Sequence, residues 1–168
     1  FNNKFKCLNP FITDIVSIVL NKSSQFYLTL NNNIYVNGDN HLGQLGIGLN
    51  LNPFGAIKNM FFKDKEISVI SDGVCNMHCF IYTNNNELYG LGWNQDNQAG
   101  IKCNIYLQVN ITLTKPYYIK YNFGDKLKEI KCGERHTLFL TLKGNVFGCG
   151  WNNWNQLLFN DKSKTYII

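Results

Sequence analysis

The sequence predicts an all-β fold: part of a β-propeller, about three four-stranded blades of antiparallel strands. Three observations predict it. One stretch of 23 residues occurs three times without a gap, at residues 24–46, 78–100 and 136–158. Its glycine anchors, Gly38, Gly92 and Gly150, stand 54 and 58 residues apart (92−38 and 150−92). Each copy holds two β-rich runs separated by turn residues. Units of that length, each too small to bury its own apolar face, are how propeller blades show themselves in a sequence.

Residues 1–14 match no part of the repeat and form a lead-in, with Asn9-Pro10 marking a turn. Residues 15–66 are expected to make blade 1, residues 67–126 blade 2, and residues 127–168 an incomplete blade 3. The run IVSIVL at residues 15–20 is short, apolar and β-branched, which predicts a buried strand. Residues 26–30, 80–84 and 138–142 carry large side chains at successive positions, so they predict strands covered on both faces by neighbouring blades. Turn residues follow at 31–33, 84–86 and 143–145; Asn and Gly there tolerate the positive φ that a tight hairpin needs. Return strands are predicted around Tyr35, Tyr89 and Phe147.

Each return strand runs into a signature loop: GDNHLGQLG, GWNQDNQAG or GWNNWNQLL. The first glycine lets the chain leave the strand sharply. Gly43, Asn97 and Asn155 share a column where those residue types predict positive φ. Gln44, Gln98 and Gln156 share another, from which the amide can bond the loop backbone. Beyond the loops the copies diverge. Pro53 lies 15 residues past its glycine and Pro116 lies 24 past its own, so nine extra residues fall within residues 101–115. That insertion is predicted to be a surface loop. The aromatic runs 54–62 and 117–123 are predicted to supply outer strands.

The repeat resembles that of the RCC1 (regulator of chromosome condensation) family, whose blades carry a line of the form G-x-x-H-T-x-x-L-T-x-x-G-x-V-x-x-x-G-x-N-x-x-G-Q-L-G. The third copy matches at its front, from Gly133 through His136-Thr137 to Gly144 and Val146. The first matches at its back, Gly38-Asp39-Asn40-His41-Leu42-Gly43-Gln44-Leu45-Gly46. The resemblance spans about residues 15–158 and implies a propeller, usually of seven blades. Members of the family include an exchange factor for the small GTPase Ran, scaffolds, and ligase-associated and kinase-associated domains, so the resemblance implies no single function.

Composition narrows the function further. The net charge of +5 comes from lysines scattered along the chain, not from the clustered basic face that nucleic-acid binding requires. No apolar run is long enough to span a membrane. The chain starts at Phe1, so a longer parent protein is expected, with further blades or a docked partner covering the open faces. An intracellular location, cytoplasm or nucleus, is expected, and with it reduced cysteines.

His78 and His136 share one column with Ser24, which assigns them to the framework and not to catalysis. Cys75 and Cys79 flank His78 but lack the spacing of a zinc site. Gly90 and Gly92, like Gly148 and Gly150, lack the further residues of a phosphate loop. Catalytic, cofactor and metal residues are therefore expected to be absent, and the protein is expected not to be an enzyme. Trp93 and Trp151 share a column and are expected to pack between blades. Trp154 aligns with Leu42 and Asp96 and is the candidate partner-binding residue. The expected function is a non-catalytic scaffold for protein–protein interaction. The alternative is guanine nucleotide exchange on a Ran-like small GTPase.

Overall fold

The fold was taken from a computed structural model, which describes residues 11–73, 77–104, 106–107, 111–157 and 165–166. Three antiparallel sheets follow one another along the chain. The first holds β1 (Ile15–Leu20), β2 (Ser24–Thr29), β3 (Ile34–Gly38) and β4 (Ile57–Lys58). The second holds β5 (Ile67–Ile70), β6 (His78–Thr83), β7 (Leu88–Trp93) and β8 (Thr112–Ile119). The third holds β9 (Leu127–Cys132), β10 (His136–Thr141), β11 (Val146–Gly150) and β12 (Thr165–Tyr166). Strand order equals chain order in every sheet, so each is an up-and-down blade.

Every repeated column has a mechanical reason. The hydroxyls of Thr29, Thr83 and Thr141 accept from the backbone N–H of Asn33, Glu87 and Asn145 at 3.1–3.2 Å, closing the three hairpins. Positive φ falls at Asn32, Asn86 and Gly144, one shared column. At the other end of each blade, the carbonyls of Ser23, Met77 and Arg135 accept from the N–H of Asp39, Trp93 and Trp151. The glycine column makes that approach possible: a Cβ on Gly92 would stand 2.3 Å from the Met77 carbonyl oxygen, and φ there is +87°.

The signature loops are held from within. The Asn40, Asn94 and Asn152 side-chain carbonyls each accept from a backbone N–H five residues on, at 2.9 Å. The Gln44, Gln98 and Gln156 side-chain carbonyls each accept from the N–H two residues back, at 2.8–3.0 Å. Gly43, Asn97 and Asn155 take the expected positive φ.

Two apolar cores join the blades. Phe26, Ile34, Val36 and Leu45 of blade 1 pack with Cys79, Ile81, Tyr89 and Leu91 of blade 2. Phe80, Tyr82, Leu88 and Leu113 of blade 2 pack with Leu127, Ile130, Phe139 and Cys149 of blade 3. Side chains alternate across a strand, so β6 sends Cys79 and Ile81 one way and Phe80 and Tyr82 the other. All six of its residues are buried. Phe80 meets Phe139 edge-on, centroids 5.0 Å apart.

Two expectations are corrected. The strand at residues 15–20 is not buried: Val16, Ile18 and Leu20 are 58–63% exposed. Among the described residues, nothing packs over these three side chains of β1, the first strand of its sheet. The insertion is not wholly a surface loop. Residues 112–115 open β8, Leu113 is buried, and Ile101 lies in the blade 2–3 core. β8 therefore starts five residues before the aromatic run expected to supply it. Pro116 is accommodated because β8 is the outermost strand of its sheet.

Candidate functional site

With the repeated columns committed to holding the framework, chemistry must come from positions where the copies differ. At the signature-loop end, five residues from three columns not common to all the copies converge: Trp93 and Asp96 of blade 2, and Arg135, Trp151 and Trp154 of blade 3. Arg135 precedes β10 and its backbone is pinned by the carbonyl bond to Trp151. Its side chain crosses to the preceding blade, where Nε and Nη2 both donate to Asp96 Oδ2, at 2.6 and 2.5 Å. The Asp96 side chain is 2% exposed, so its charge is desolvated and needs this partner.

The Arg135 guanidinium also faces two indoles, 5.4 Å from the Trp93 ring centroid and 5.2 Å from that of Trp151. Trp93 and Trp151 thus sit at a blade junction, brought together by a cation that the sequence did not single out. Arg135 and Asp96 are 39 residues apart and in different blades, so no local pattern links them.

Trp154 stands beyond this junction. Its residue is 79% exposed, and its ring meets that of Trp151 at 82° with centroids 6.4 Å apart. Glu134, Arg135, His136, Trp151, Trp154 and Gln156 line a hollow of about 270 Å³ there.

The histidines occupy different environments. His78 is fully buried, and its Nε2 lies 2.7 Å from the Thr137 hydroxyl of blade 3. That hydroxyl donates its proton to the Gln98 carbonyl at 2.9 Å, so it accepts from His78. The ring is then the neutral Nε2–H form. Burial, with the nearby His136, pushes its pKa down to about 3. In the same column of blade 1, Ser24 Oγ donates to the Asp39 carbonyl. His136 is half-buried and shifted down by burial. Gly133 makes room for it: a Cβ there would lie 2.2 Å from its Cε1.

Cys79, Cys103, Cys132 and Cys149 are thiols. Burial pushes the Cys149 thiol up to about 12, which removes it as a nucleophile. Cys75 lies outside the described residues. Among the described residues, no group of three or more His, Cys, Asp or Glu is placed to hold a metal ion. Among them, too, no helix is long and apolar enough to cross a membrane.

Residues 127–156 match the family model described as the Regulator of chromosome condensation (RCC1) repeat. Over 129 residues the chain is 33% identical to the ultraviolet-B receptor UVR8 of Arabidopsis thaliana, covering 74% of this chain and 26% of that protein. Over 84 residues it is 37% identical to the X-linked retinitis pigmentosa GTPase regulator of Homo sapiens, covering 50% of this chain and 8% of that protein. The chain therefore spans about a quarter of the plant receptor and under a tenth of the human regulator. Its fold is that of the crystal structure of Prp20p from Saccharomyces cerevisiae, described with its binding to Gsp1p and histones. The TM-score is 0.71 at 18% identity, over 92% of this chain and 37% of that one.

Proposed function

We propose, from the premise that this chain belongs to the RCC1 repeat family, that it is a non-catalytic scaffold binding another protein through its signature-loop rim. One observation carries the reading: a large indole, Trp154, is 79% exposed on that rim, while the residues common to all three copies are committed to hairpins, loops and blade junctions. Exposed aromatic side chains beside a hollow are the anchors that protein interfaces use. Prp20p, which shares the fold, is described by its binding to proteins, Gsp1p and histones.

A photo-crosslinking residue at position 153, beside Trp154, tests this in the native cell. The expected result is a discrete protein adduct that is missing when the same residue replaces Asn122, near the hairpin turns. Equal labelling at both positions overturns the reading. The opposing reading is exchange on a Ran-like GTPase. Mixed with such a GTPase carrying fluorescent GDP, the chain is expected to leave nucleotide release unchanged; acceleration by orders of magnitude would make it an exchange factor instead.

A further inference from the structure

We propose that the hollow between Trp151 and Trp154 receives an arginine side chain presented by a partner protein. This rests on the reading of the rim as a protein-binding surface and adds the chemistry of what is bound. The precedent is inside the molecule. At the junction of blades 2 and 3, a guanidinium lies against the indole that opens one signature loop, Trp93, and bonds the residue three positions on, Asp96. In the next signature loop those two columns hold Trp151 and Trp154.

A related pair recurs in the blade 3 loop, with Arg135 already over Trp151 and the carboxylate position taken by a second, exposed indole. Trp154 stands at 82° to Trp151 and is 79% exposed, so its π-face is offered to a cation entering the hollow. The charges present favour that cation. Glu134 is among the residues lining the hollow, the Arg135 charge is met by Asp96, and burial holds His136 toward its neutral form. A guanidinium suits the site better than an ammonium, because it is planar, weakly hydrated and stacks on indoles.

The test is a titration with N-acetyl-arginine methylamide, followed through the indole N–H signals of Trp151 and Trp154. Both signals are expected to shift, with an apparent affinity at least about threefold above that of the lysine counterpart. Trp154→Ala, at an exposed position, is expected to abolish the shift at Trp151, Trp154→Phe to keep part of it, and Glu134→Gln to weaken it. Equal response to lysine, or an unchanged response in Trp154→Ala, overturns the proposal. Discrete adducts at position 153 without arginine preference would leave the scaffold reading standing and sink this one. In the natural full-length chain without a partner, protection of Trp154 from N-bromosuccinimide would also overturn it, since the chain itself would then fill the hollow.

Discussion

His78 bridges two blades from a fully buried site that disfavours the charged imidazolium, and that makes it a source of acid sensitivity. Its folded pKa, about 3, lies below the ordinary 6.5. As pH falls, the unfolded chain takes up the proton first. The stabilisation is therefore complete above about pH 6.5 and is lost progressively toward about pH 3, on the order of 5 kcal/mol over the whole window. His136 is shifted in the same direction and adds to the slope. Denaturant midpoints measured across pH should fall most steeply between about 6 and 4 in the parent and much less in His78→Gln. Parallel curves would show that His78 does not set the slope. A second test lies at the Asp96–Arg135 pair. Arg135→Met leaves the Asp96 carboxylate buried without its cation and should cost about 2–4 kcal/mol, moderated by the partial exposure of Arg135. Adding Asp96→Leu should recover much of that loss. The same two columns one blade earlier hold Leu42 and Met77, with no charge.

At the scale of the element, β8 turns the insertion into structure. It pairs with β7 from Trp93↔Thr112 to Leu88↔Ile119, and it also receives the loop of the preceding blade. Gly43 packs on the backbone of Leu113 and Thr114, and the Gly48 N–H donates to the Thr114 carbonyl at 2.8 Å. Leu113→Ala should cost about 2–4 kcal/mol in a thermal or denaturant melt. Replacing residues 101–115 by a short Gly/Ser link should abolish cooperative melting of blade 2. A deletion that melts like the parent would show that the strand contributes nothing. The sequence hid this because a strand beginning Thr-Leu-Thr-Lys before a proline carries no strong local signal.

Across the whole molecule, one pairing position shows what a neighbour does. Ile18 pairs with Tyr27, Ile70 with Ile81 and Ile130 with Phe139, three equivalent places on the inner strands. Ile18 is 58% exposed, Ile70 is half-buried and Ile130 is 1% exposed. The residue type is constant, and burial follows from the blade packed in front. On the far side of blade 3, Val146 is 57% exposed, whereas its column mates Ile34 and Leu88 are buried between blades. Apolar surface of this kind marks an interaction site or an association hazard. Residues 1–168 made alone should therefore self-associate, read by light scattering on purified material. A cooperatively melting monomer at high concentration would show that the open faces are stable in water.

The sequence by itself determined the blades. The spacing of the repeats, the hairpin Thr and Asn columns, and the Gly, Asn and Gln of the loops act within a few residues or across one hairpin, so their physics is written locally. It also marked Trp154 as a loop position where the copies differ. The tertiary structure alone decided what lies between blades. The Arg135–Asp96 pair and the Thr137 bridge from His78 to the Gln98 carbonyl join chain segments 39 or more residues apart, and the exposure of β1 depends on what packs in front of it. No periodicity encodes such contacts, because a side chain's partner across a junction is set by how sheets stack and not by how a strand alternates.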